Sequence, residues 1–336
     1  MLIVIYLLYV KLSETIHINR LLGGRHLFLL NKAEKSQFFQ RHQNEFLEIT
    51  CLDQLKSWVM SNFKAIDENP AAWCAIELAI LDMLAQDRHQ TVEKLLSRPP
   101  LLEEFQYTAV LGCNGLEAFA KQLEQYRQSG FQAFKVKVSG NLNEDKATIA
   151  LFKSLGQKIV VRLDGNNIWE QPKQAVAYIS ALEYPFSALE EPLKPGDYAG
   201  CEVIYNALGI PIILDESFLR VEQFDHLEGN LEPWVINLRL SKMGGVLRSL
   251  LIAEKAEALN IPIVVGAQVG ETSILTRAAL TVASAYSNVV IAQEGAFGTH
   301  LLERDVVASP IMFGASGKLE RGHRFNRDGF GLEFSL

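Results

Sequence analysis

Three carboxylate side chains stand where apolar stretches of the sequence end. Asp164 closes VVRLD, Glu190 closes SALE and Asp215 closes PIILD, at a spacing of roughly 25 residues, the length of one strand–helix unit. In a barrel, consecutive strand ends meet around one mouth, where three carboxylates would repel one another unless a cation neutralised them. Hard oxygen ligands suit Mg²⁺. Any one such acid is more often a helix cap or a solvated loop residue, so the prediction rests on all three together.

Two lysines precede the first of these acids on one strand. Lys135 and Lys137 lie two residues apart in FKVKVSG, so both side chains point to the same side. Close to a divalent cation and to each other, their ammonium forms are disfavoured, and a neutral lysine is a competent general base near neutral pH. A base beside a metal that binds a carboxylate is what removal of an α-proton requires. The pattern therefore predicts enolate chemistry on a small carboxylate substrate.

Other polar residues follow the same strands towards the predicted mouth. Asn166 lies just beyond the first acid, Arg239 and Lys242 follow the strand in VINLRLSKMGG, and Gln268 and Glu271 follow the next strand. The residues assigned to substrate binding or to support of the ligands are Asn166, Asn237, Lys242, Gln268 and Glu271. Around Glu271, backbone amides at a helix start could bind a substrate carboxylate, or the segment could be a capped helix start alone.

Short apolar strands alternate with amphipathic helices from about residue 101 onward. The predicted strands are 106–111, 132–138, 158–163, 186–190, 211–214, 234–239, 261–265 and 289–292. The predicted helices include 115–129, 144–155, 171–182, 197–208, 244–258 and 271–285. Such alternation indicates a closed parallel barrel or a doubly wound sheet. An open sheet would spread the strand ends along a line, so converging metal ligands favour the barrel.

The first hundred residues have a different pattern. Strand-like runs at 1–10 and 26–31 mix with helical ones, and the clearest helix is predicted from Pro70 to Leu96. Pro99-Pro100 then ends that pattern. The predicted division is an N-terminal domain over 1–100, a barrel over 101–309, and a tail of about 310–336 that packs back on the first domain.

Composition excludes several classes of function. A formal charge of −7 over 336 residues argues against nucleic acid as a partner, because phosphate binding needs a basic surface. The 4 cysteines lie far apart, as thiols do in a reducing compartment. The opening MLIVIYLLYV is too short to span a bilayer and lacks the flanks of a signal peptide, so we expect a buried strand and a cytoplasmic protein without membrane contact.

Together these motifs resemble the muconate-lactonizing branch of the enolase superfamily. The resemblance covers nearly the whole chain and rests on the KxK strand, the DxN turn, LEEP, DES and the NLxxxKxGG stretch. It implies an α/β fold in which an N-terminal α+β capping domain closes over a modified (β/α)7β barrel of the TIM type. It also implies that Asp164, Glu190 and Asp215 hold Mg²⁺, with Mn²⁺ as a substitute, that Lys137 is the acid/base lysine, and that Lys135 tunes it. Relatives are often dimers or octamers, which leaves a homo-oligomer open.

The sequence departs from the resembled pattern at two places. Arg239 stands where relatives usually carry a second catalytic lysine. Arginine stays protonated and cannot act as a base, although its cation could stabilise an enolate. The region NKAEKSQFFQRHQNEF also lacks the glycine-rich turn of the relatives' capping domain.

Arg239 affects which reaction of this branch is expected first. Epimerases and racemases need bases on both faces of the α-carbon, whereas o-succinylbenzoate synthase removes water from one face and tolerates a cation opposite its lysine. A lyase of that kind, acting in menaquinone biosynthesis, is therefore the first expectation. The alternatives are a dipeptide or N-acyl amino acid epimerase or racemase, a muconate-type cycloisomerase, and a catalytically idle member of the family.

Overall fold

A computed structural model describes residues 32–155 and 159–335 of the chain. Its first part is helical: α1 (Lys32–Leu47), α2 (Leu52–Ser61), α3 (Phe63–Glu68), α4 (Pro70–Asp87) and α5 (Val92–Leu95). The strands predicted at 1–10 and 26–31 lie outside the described residues. The proposed limit of the first domain at residue 100 stays a prediction.

The single helix predicted over Pro70–Leu96 is wrong, because the chain forms two helices there, α4 and α5. Between them His89 adopts a φ of 49°, in the left-handed region. The side chain of Thr91 then accepts a hydrogen bond from the N–H of Lys94 at 3.3 Å and so caps the second helix. Both helices bury apolar residues in the same core, which is why the apolar periodicity continues across the break.

Eight parallel strands form one sheet in chain order. They are β1 (Ala109–Leu111), β2 (Ala133–Lys137), β3 (Val160–Asp164), β4 (Ala188–Glu190), β5 (Ile212–Leu214), β6 (Trp234–Leu238), β7 (Ile263–Val265) and β8 (Val290–Gln293). Just before β1, Thr108 donates its N–H to the carbonyl of Gln293 at 2.8 Å, and Tyr107 forms a parallel bridge with the same residue. The first and last strands therefore meet, which confirms the predicted barrel over the open sheet.

Helices cover the outside of this ring. They are α6 (Leu116–Gln128), α7 (Leu142–Lys153), α8 (Pro172–Leu182), α9 (Tyr198–Leu208), α10 (Leu240–Met243), α11 (Val246–Ala258) and α12 (Ser273–Ala285). After β5 a 3₁₀ helix, Val221–Leu227, takes the place of an α-helix. Side chains on the outer face of the strands pack on these helices, as the Phe134 ring does on Phe152, with ring centroids 5.4 Å apart. The large core of the molecule lies in this layer.

Alternate residues of the strands point into the barrel instead. A small apolar cluster, separate from the large core, consists of Ala188, Ile213, Val235 and Val264. Successive side chains of a strand point to opposite faces, so residues two positions further along share the direction of this cluster. Glu190, Asp215 and Asn237 occupy those positions. The alternation of each strand therefore directs these polar side chains to the inside of the ring, at its carboxyl end.

The C-terminal tail pairs with the segment that precedes the barrel. Residues Glu104–Gln106 and Lys318–Glu320 form a two-stranded antiparallel ribbon. The strand predicted over 106–111 is therefore wrong in extent, since only its second half belongs to the ring. Further along the tail, the carbonyl of Gly329 accepts the N–H of Val92 at 3.1 Å. Within the described part of the chain, we find no helix with the length and hydropathy that a membrane span requires.

Candidate active site

The three predicted acids lie next to one another at the mouth of the ring. Asp164 ends β3, Glu190 ends β4, and Asp215 follows β5 directly. The sheet register pairs Asp164 with Glu190 on one side and with Lys137 on the other. All three acids are buried, at 4% exposure or less. The fold therefore brings together the residues that the sequence singled out.

Side-chain cations lie between these carboxylates. The Nζ of Lys135 is 2.7 Å from a Glu190 oxygen and 3.1 Å from Asp164 Oδ2. The Nη2 of Arg239 is 3.2 Å from Glu190 Oε1 and 2.5 Å from Asp215 Oδ2. Acids and cations thus alternate along the mouth, and each buried charge has an opposite charge beside it, as burial requires.

Asp215 is also held from its outer side. Lys242 Nζ lies 3.0 Å from Asp215 Oδ1 and 2.8 Å from Glu216 Oε1. Glu191 is buried, and its Oε1 accepts the N–H groups of Asp215 and Ser217 at 2.6 Å each. Burial raises the pKa of Glu191 to about 8, against the hydrogen bonds from Ser217. Glu191 therefore fixes the backbone that carries the third acid.

Lys135 is the most enclosed cation of the mouth, with a side chain only 3% exposed. Burial disfavours its ammonium form, but the carboxylates of Asp164, Glu190 and Glu294 outweigh burial and raise its pKa. These carboxylates therefore act against the expected loss of the ammonium form, which concerned a site with Mg²⁺ bound and stays a prediction for that state. That expectation was based on the charges of a metal ion and of Lys137. It did not include the three carboxylates that surround the amine of Lys135.

The carboxylates differ from one another in the balance of burial and charge. Burial raises the pKa of Asp215 to about 7, even though Arg239 and Lys242 oppose this effect. Burial acts in the same direction on Glu190, but Lys135 and Arg239 overcome it and lower its pKa to about 2. The third acid is thus under-neutralised by its neighbours. Further positive charge at this place would stabilise it.

Lys137 is the lysine that a substrate can reach. Its side chain is 30% exposed, and its Nζ lies 4.0 Å from Asp164 Oδ2 and 3.4 Å from Asn166 Oδ1. Asn166 in turn donates its backbone N–H to Asp164 Oδ1 at 3.1 Å, and its side-chain amide contacts the same oxygen. The DxN turn therefore fixes Asp164 and places an amide oxygen beside the amine of Lys137.

Two residues of this network were missed by sequence reasoning. Glu294, just after β8, accepts hydrogen bonds from Lys135 at 3.2 Å and from Arg162 at 3.0 Å. Both Arg162 and Glu294 are buried. Arg162 lies two positions before Asp164 on one strand, so its inward direction could be read from the alternation. The prediction centred on residues at strand ends, whereas Arg162 lies inside its strand.

Asn237 supports the second acid from β6. Its Nδ2 donates to Glu190 Oε1 at 2.9 Å, and the residue is fully buried. On the neighbouring strand, a Cβ at Gly266 would lie 2.0 Å from Asn237 Oδ1 and 3.0 Å from Arg239 Cγ. The glycine is therefore needed for Asn237 and Arg239 to occupy their positions.

Gln268 and Glu271 pair with each other after β7. The N–H of Gln268 donates to Glu271 Oε1 at 2.7 Å. Burial raises the pKa of Glu271 to about 7, against this hydrogen bond and the charge of Arg239. The first turn of α12 is held by Asp305, which accepts the Ser273 N–H at 3.1 Å and its hydroxyl at 2.7 Å. This supports the capped helix start of the two readings, and contact with a substrate stays a prediction.

The donor set fits a hard divalent cation in chemistry and placement. Asp164, Glu190 and Asp215 offer carboxylate oxygen atoms on three adjacent strand ends, which are the ligands that Mg²⁺ prefers. Within residues 32–155 and 159–335, however, no three acidic, histidine or cysteine side chains are already gathered around one point. Lys135 and Arg239 separate the carboxylates. A metal here would require the side chains to rearrange around it.

Comparison with known proteins places this barrel in a family. Residues 118–335 match the family described as Enolase C-terminal domain-like. The chain belongs to this family, and the predicted membership of the muconate-lactonizing branch of the enolase superfamily is confirmed.

Individual relatives narrow the comparison. The hydrophobic dipeptide epimerase of Enterococcus faecalis is 30% identical over 256 residues, which cover 75% of this chain and 71% of the relative. The structure of a dipeptide epimerase from Enterococcus faecalis V583, complexed with Mg and the dipeptide L-Leu-L-Tyr, has a TM-score of 0.77 at 25% identity and covers 90% of this chain and 84% of the other. Muconate lactonizing enzyme has a TM-score of 0.81 at 22% identity, covering 93% of this chain and 86% of the other, and shows the shared fold.

The names of these relatives favour a different reaction from the one expected first. The names of the more similar ones describe epimerases, which are isomerases, and not dehydrating lyases. The first expectation, o-succinylbenzoate synthase in menaquinone biosynthesis, is not supported by them. The alternative of an epimerase is the better supported of the two.

Proposed function

We propose that the chain is an isomerase that removes the proton α to the carboxylate of a dipeptide or an N-acyl amino acid from one face and adds a proton to the other face, which forms the other epimer. The observation that carries the proposal is the position of Lys137, a partly exposed amine 4.0 Å from a carboxylate of the buried acid row. The likeness to dipeptide epimerases supports the substrate class.

In this proposal Asp164, Glu190 and Asp215 hold Mg²⁺, for which Mn²⁺ could substitute. When bound, the metal would supply positive charge to the substrate carboxylate as the α-carbon loses its proton. The amine of Lys137 takes that proton and becomes an ammonium, while the electron pair of the C–H bond moves into the carboxylate. The opposite face of the enolate then takes a proton from water, because Arg239 on that side holds its own protons. Lys135 keeps its charge beside Glu190 and adds to the positive potential of the mouth.

Arg239 favours a second candidate function. A guanidinium opposite the base is a fixed cation, which suits a reaction confined to one face, such as elimination of water by an o-succinylbenzoate synthase. In that reaction Lys137 removes the proton, and the hydroxyl on the neighbouring carbon leaves with a proton as water. The two candidates share the base and the acids and differ in the fate of the enolate.

The test is hydrogen exchange at the α-carbon. The protein is incubated in D₂O with Mg²⁺ and one substrate at a time. The substrates are dipeptides, N-acyl amino acids and the cyclohexadiene precursor of o-succinylbenzoate. Lys137→Ala should lower exchange by about 10²–10⁴-fold, while Lys153→Ala, a lysine on the outer helix α7 with 44% exposure, should leave it unchanged.

The products then separate the candidates. Deuterated epimers of a dipeptide or an N-acyl amino acid would support the isomerase, and dehydration of the cyclohexadiene would support the lyase. An absence of exchange across the whole panel would contradict both and favour a catalytically idle member of the family.

A further inference from the structure

The segment that follows β6 carries two of the cations of the mouth. Arg239 begins it and Lys242 lies within its short helix α10, whose end is closed by hydrogen bonds from Gly244 N–H and Gly245 N–H to the carbonyl of Leu240, at 3.1 and 2.9 Å. These bonds make residues 239–245 one compact turn. Its position therefore sets where both cations stand.

A carboxylate from outside the barrel binds the start of the helix that follows this turn. Glu77, on α4, is fully buried and its Oε1 accepts the N–H of Leu247 at 3.0 Å, in the first turn of α11. The indole N–H of Trp73 donates to Glu77 Oε2 at 3.2 Å. A carboxylate at a helix N-terminus satisfies amides that have no partner within the helix. Glu77 thus caps α11 from a different part of the fold.

The two glycines of the turn make this approach close. A Cβ at Gly245 would lie 2.5 Å from a carboxylate oxygen of Glu77, and a Cβ at Gly244 would lie 2.6 Å from a methyl group of Ile66. Both glycines have positive φ, 83° at Gly244 and 101° at Gly245. The backbone that follows Lys242 therefore lies directly against the side chains of Ile66 on α3 and Glu77 on α4. A side chain at either glycine would prevent this contact.

Burial of this carboxylate is unfavourable by itself. It raises the pKa of Glu77 to about 7, against the amides of Leu247 and Val246, the Trp73 indole and the charge of Arg248. An apolar side chain of similar size would avoid this desolvation cost. The contribution of Glu77 therefore lies in what it binds, which is the start of α11.

We infer that Glu77 is a positioning residue for the active site: by holding the start of α11, which directly follows the 239–245 turn, it keeps Arg239 and Lys242 against Asp215. The catalytic part of this inference rests on the proposed function. The anchoring part does not, because it concerns only the backbone of the turn.

Two variants of Glu77 and one control test the inference in the full chain. Glu77→Gln keeps an oxygen that can accept the Leu247 N–H, whereas Glu77→Leu removes it. Asp82→Ala serves as the control, because Asp82, on the same helix α4, accepts the N–H of Phe330 at 2.7 Å and so binds the C-terminal tail instead of the start of α11. A general loosening of α4 would affect the Asp82 variant as well.

The first measurement is amide hydrogen exchange in peptides that cover residues 240–250. We expect Glu77→Leu to speed exchange there by about tenfold or more, as for loss of local structure, with Glu77→Gln and Asp82→Ala close to the wild type. The second measurement is α-proton exchange on the best substrate of the panel. Misplaced cations should lower kcat about tenfold in Glu77→Leu and leave KM nearly unchanged, with most of kcat kept in Glu77→Gln.

Unchanged amide exchange in Glu77→Leu would overturn the anchor. Faster amide exchange with an unchanged kcat would reduce Glu77 to a structural residue and also overturn the inference. If the wild type exchanges no α-proton, the proposed function fails separately, and the crystal structure of Glu77→Leu then decides. Arg239 and Lys242 displaced from Asp215 would support the inference, and their unchanged positions would contradict it.

Discussion

Lys137 and Arg239 face each other across the barrel mouth, because they stand at the ends of the second and sixth strands of an eight-stranded ring. Three strands lie between them in either direction around the ring. A substrate between them would present one face of its α-carbon to an amine and the other to a guanidinium. An amine can act as a base once it is neutral, whereas a guanidinium holds its protons.

Replacement of this arginine should change the stereochemistry of exchange. Arg239→Lys places a second amine opposite Lys137, and we expect α-deuterium uptake in the epimer that the wild type exchanges slowly to rise by about tenfold or more. Exchange of each pure epimer is followed by NMR in D₂O. Equal exchange of both epimers in the wild type would contradict this prediction, since a proton donor other than Arg239 would then serve the second face.

Binding of Mg²⁺ should stabilise the fold. A ligand that binds only the folded state at a concentration of 100 times its Kd adds about 3 kcal/mol to the free energy of unfolding. We expect urea unfolding with Mg²⁺ and with EDTA to differ by an amount of this order. Glu190→Gln should abolish the difference, while Glu124→Gln, on the exposed outer helix α6, should retain it. A stabilisation that survives in Glu190→Gln would place the metal elsewhere.

Glu77 should give the stability of the protein a particular pH dependence. Its pKa is raised to about 7 in the folded chain, whereas in the unfolded chain it is about 4.3. The folded state therefore retains a proton that the unfolded state releases, and stability falls as pH rises from about 4.3 to about 7, by about 4 kcal/mol in total.

The matching measurement compares the wild type with Glu77→Gln by urea unfolding across this pH range. The difference in unfolding free energy between the two proteins should drift against the wild type up to pH 7 and then level off. A constant difference would mean that Glu77 titrates near its ordinary range and is better solvated than its burial indicates.

The close contact between Gly245 and Glu77 can be tested by comparison with a glycine of similar φ that has no such contact. Gly245 has a φ of 101° and its added Cβ would meet Glu77, whereas Gly229 has a φ of 98° and nothing within 4 Å. Alanine at either site should cost about 1 kcal/mol or more for the backbone alone. Gly245→Ala should cost a further 1–3 kcal/mol, about the usual cost of overpacking, and equal losses in denaturant unfolding would contradict the contact.

The row of acids could be predicted from sequence because strand alternation and strand length determine it. Asp164, Glu190 and Asp215 each end an apolar run, and consecutive strands of a barrel are neighbours. Lys137 and Lys135 shared a strand, but their different environments depend on neighbours from other strands. Glu294, 159 positions from Lys135 along the chain, is one of these.

Contacts between distant parts of the chain left weaker signals. Glu77 binds a residue 170 positions away, and its position inside an apolar helix resembles that of an ordinary solvent-facing acid. The break between α4 and α5 was hidden for a related reason, because both helices face one core. In both cases the tertiary partner decides the outcome, and local periodicity does not report it.

The ribbon between Glu104–Gln106 and Lys318–Glu320 also has a consequence for synthesis of the protein. Its two strands are 214 positions apart at the pair formed by Glu104 and Lys318. As the chain leaves the ribosome, the earlier strand stays unpaired until all eight strands of the barrel, and then residues 318–320, have been made. Pairings of such long range form late and slowly, so the exposed edge of Glu104–Gln106 is a place where a nascent chain would need protection from aggregation.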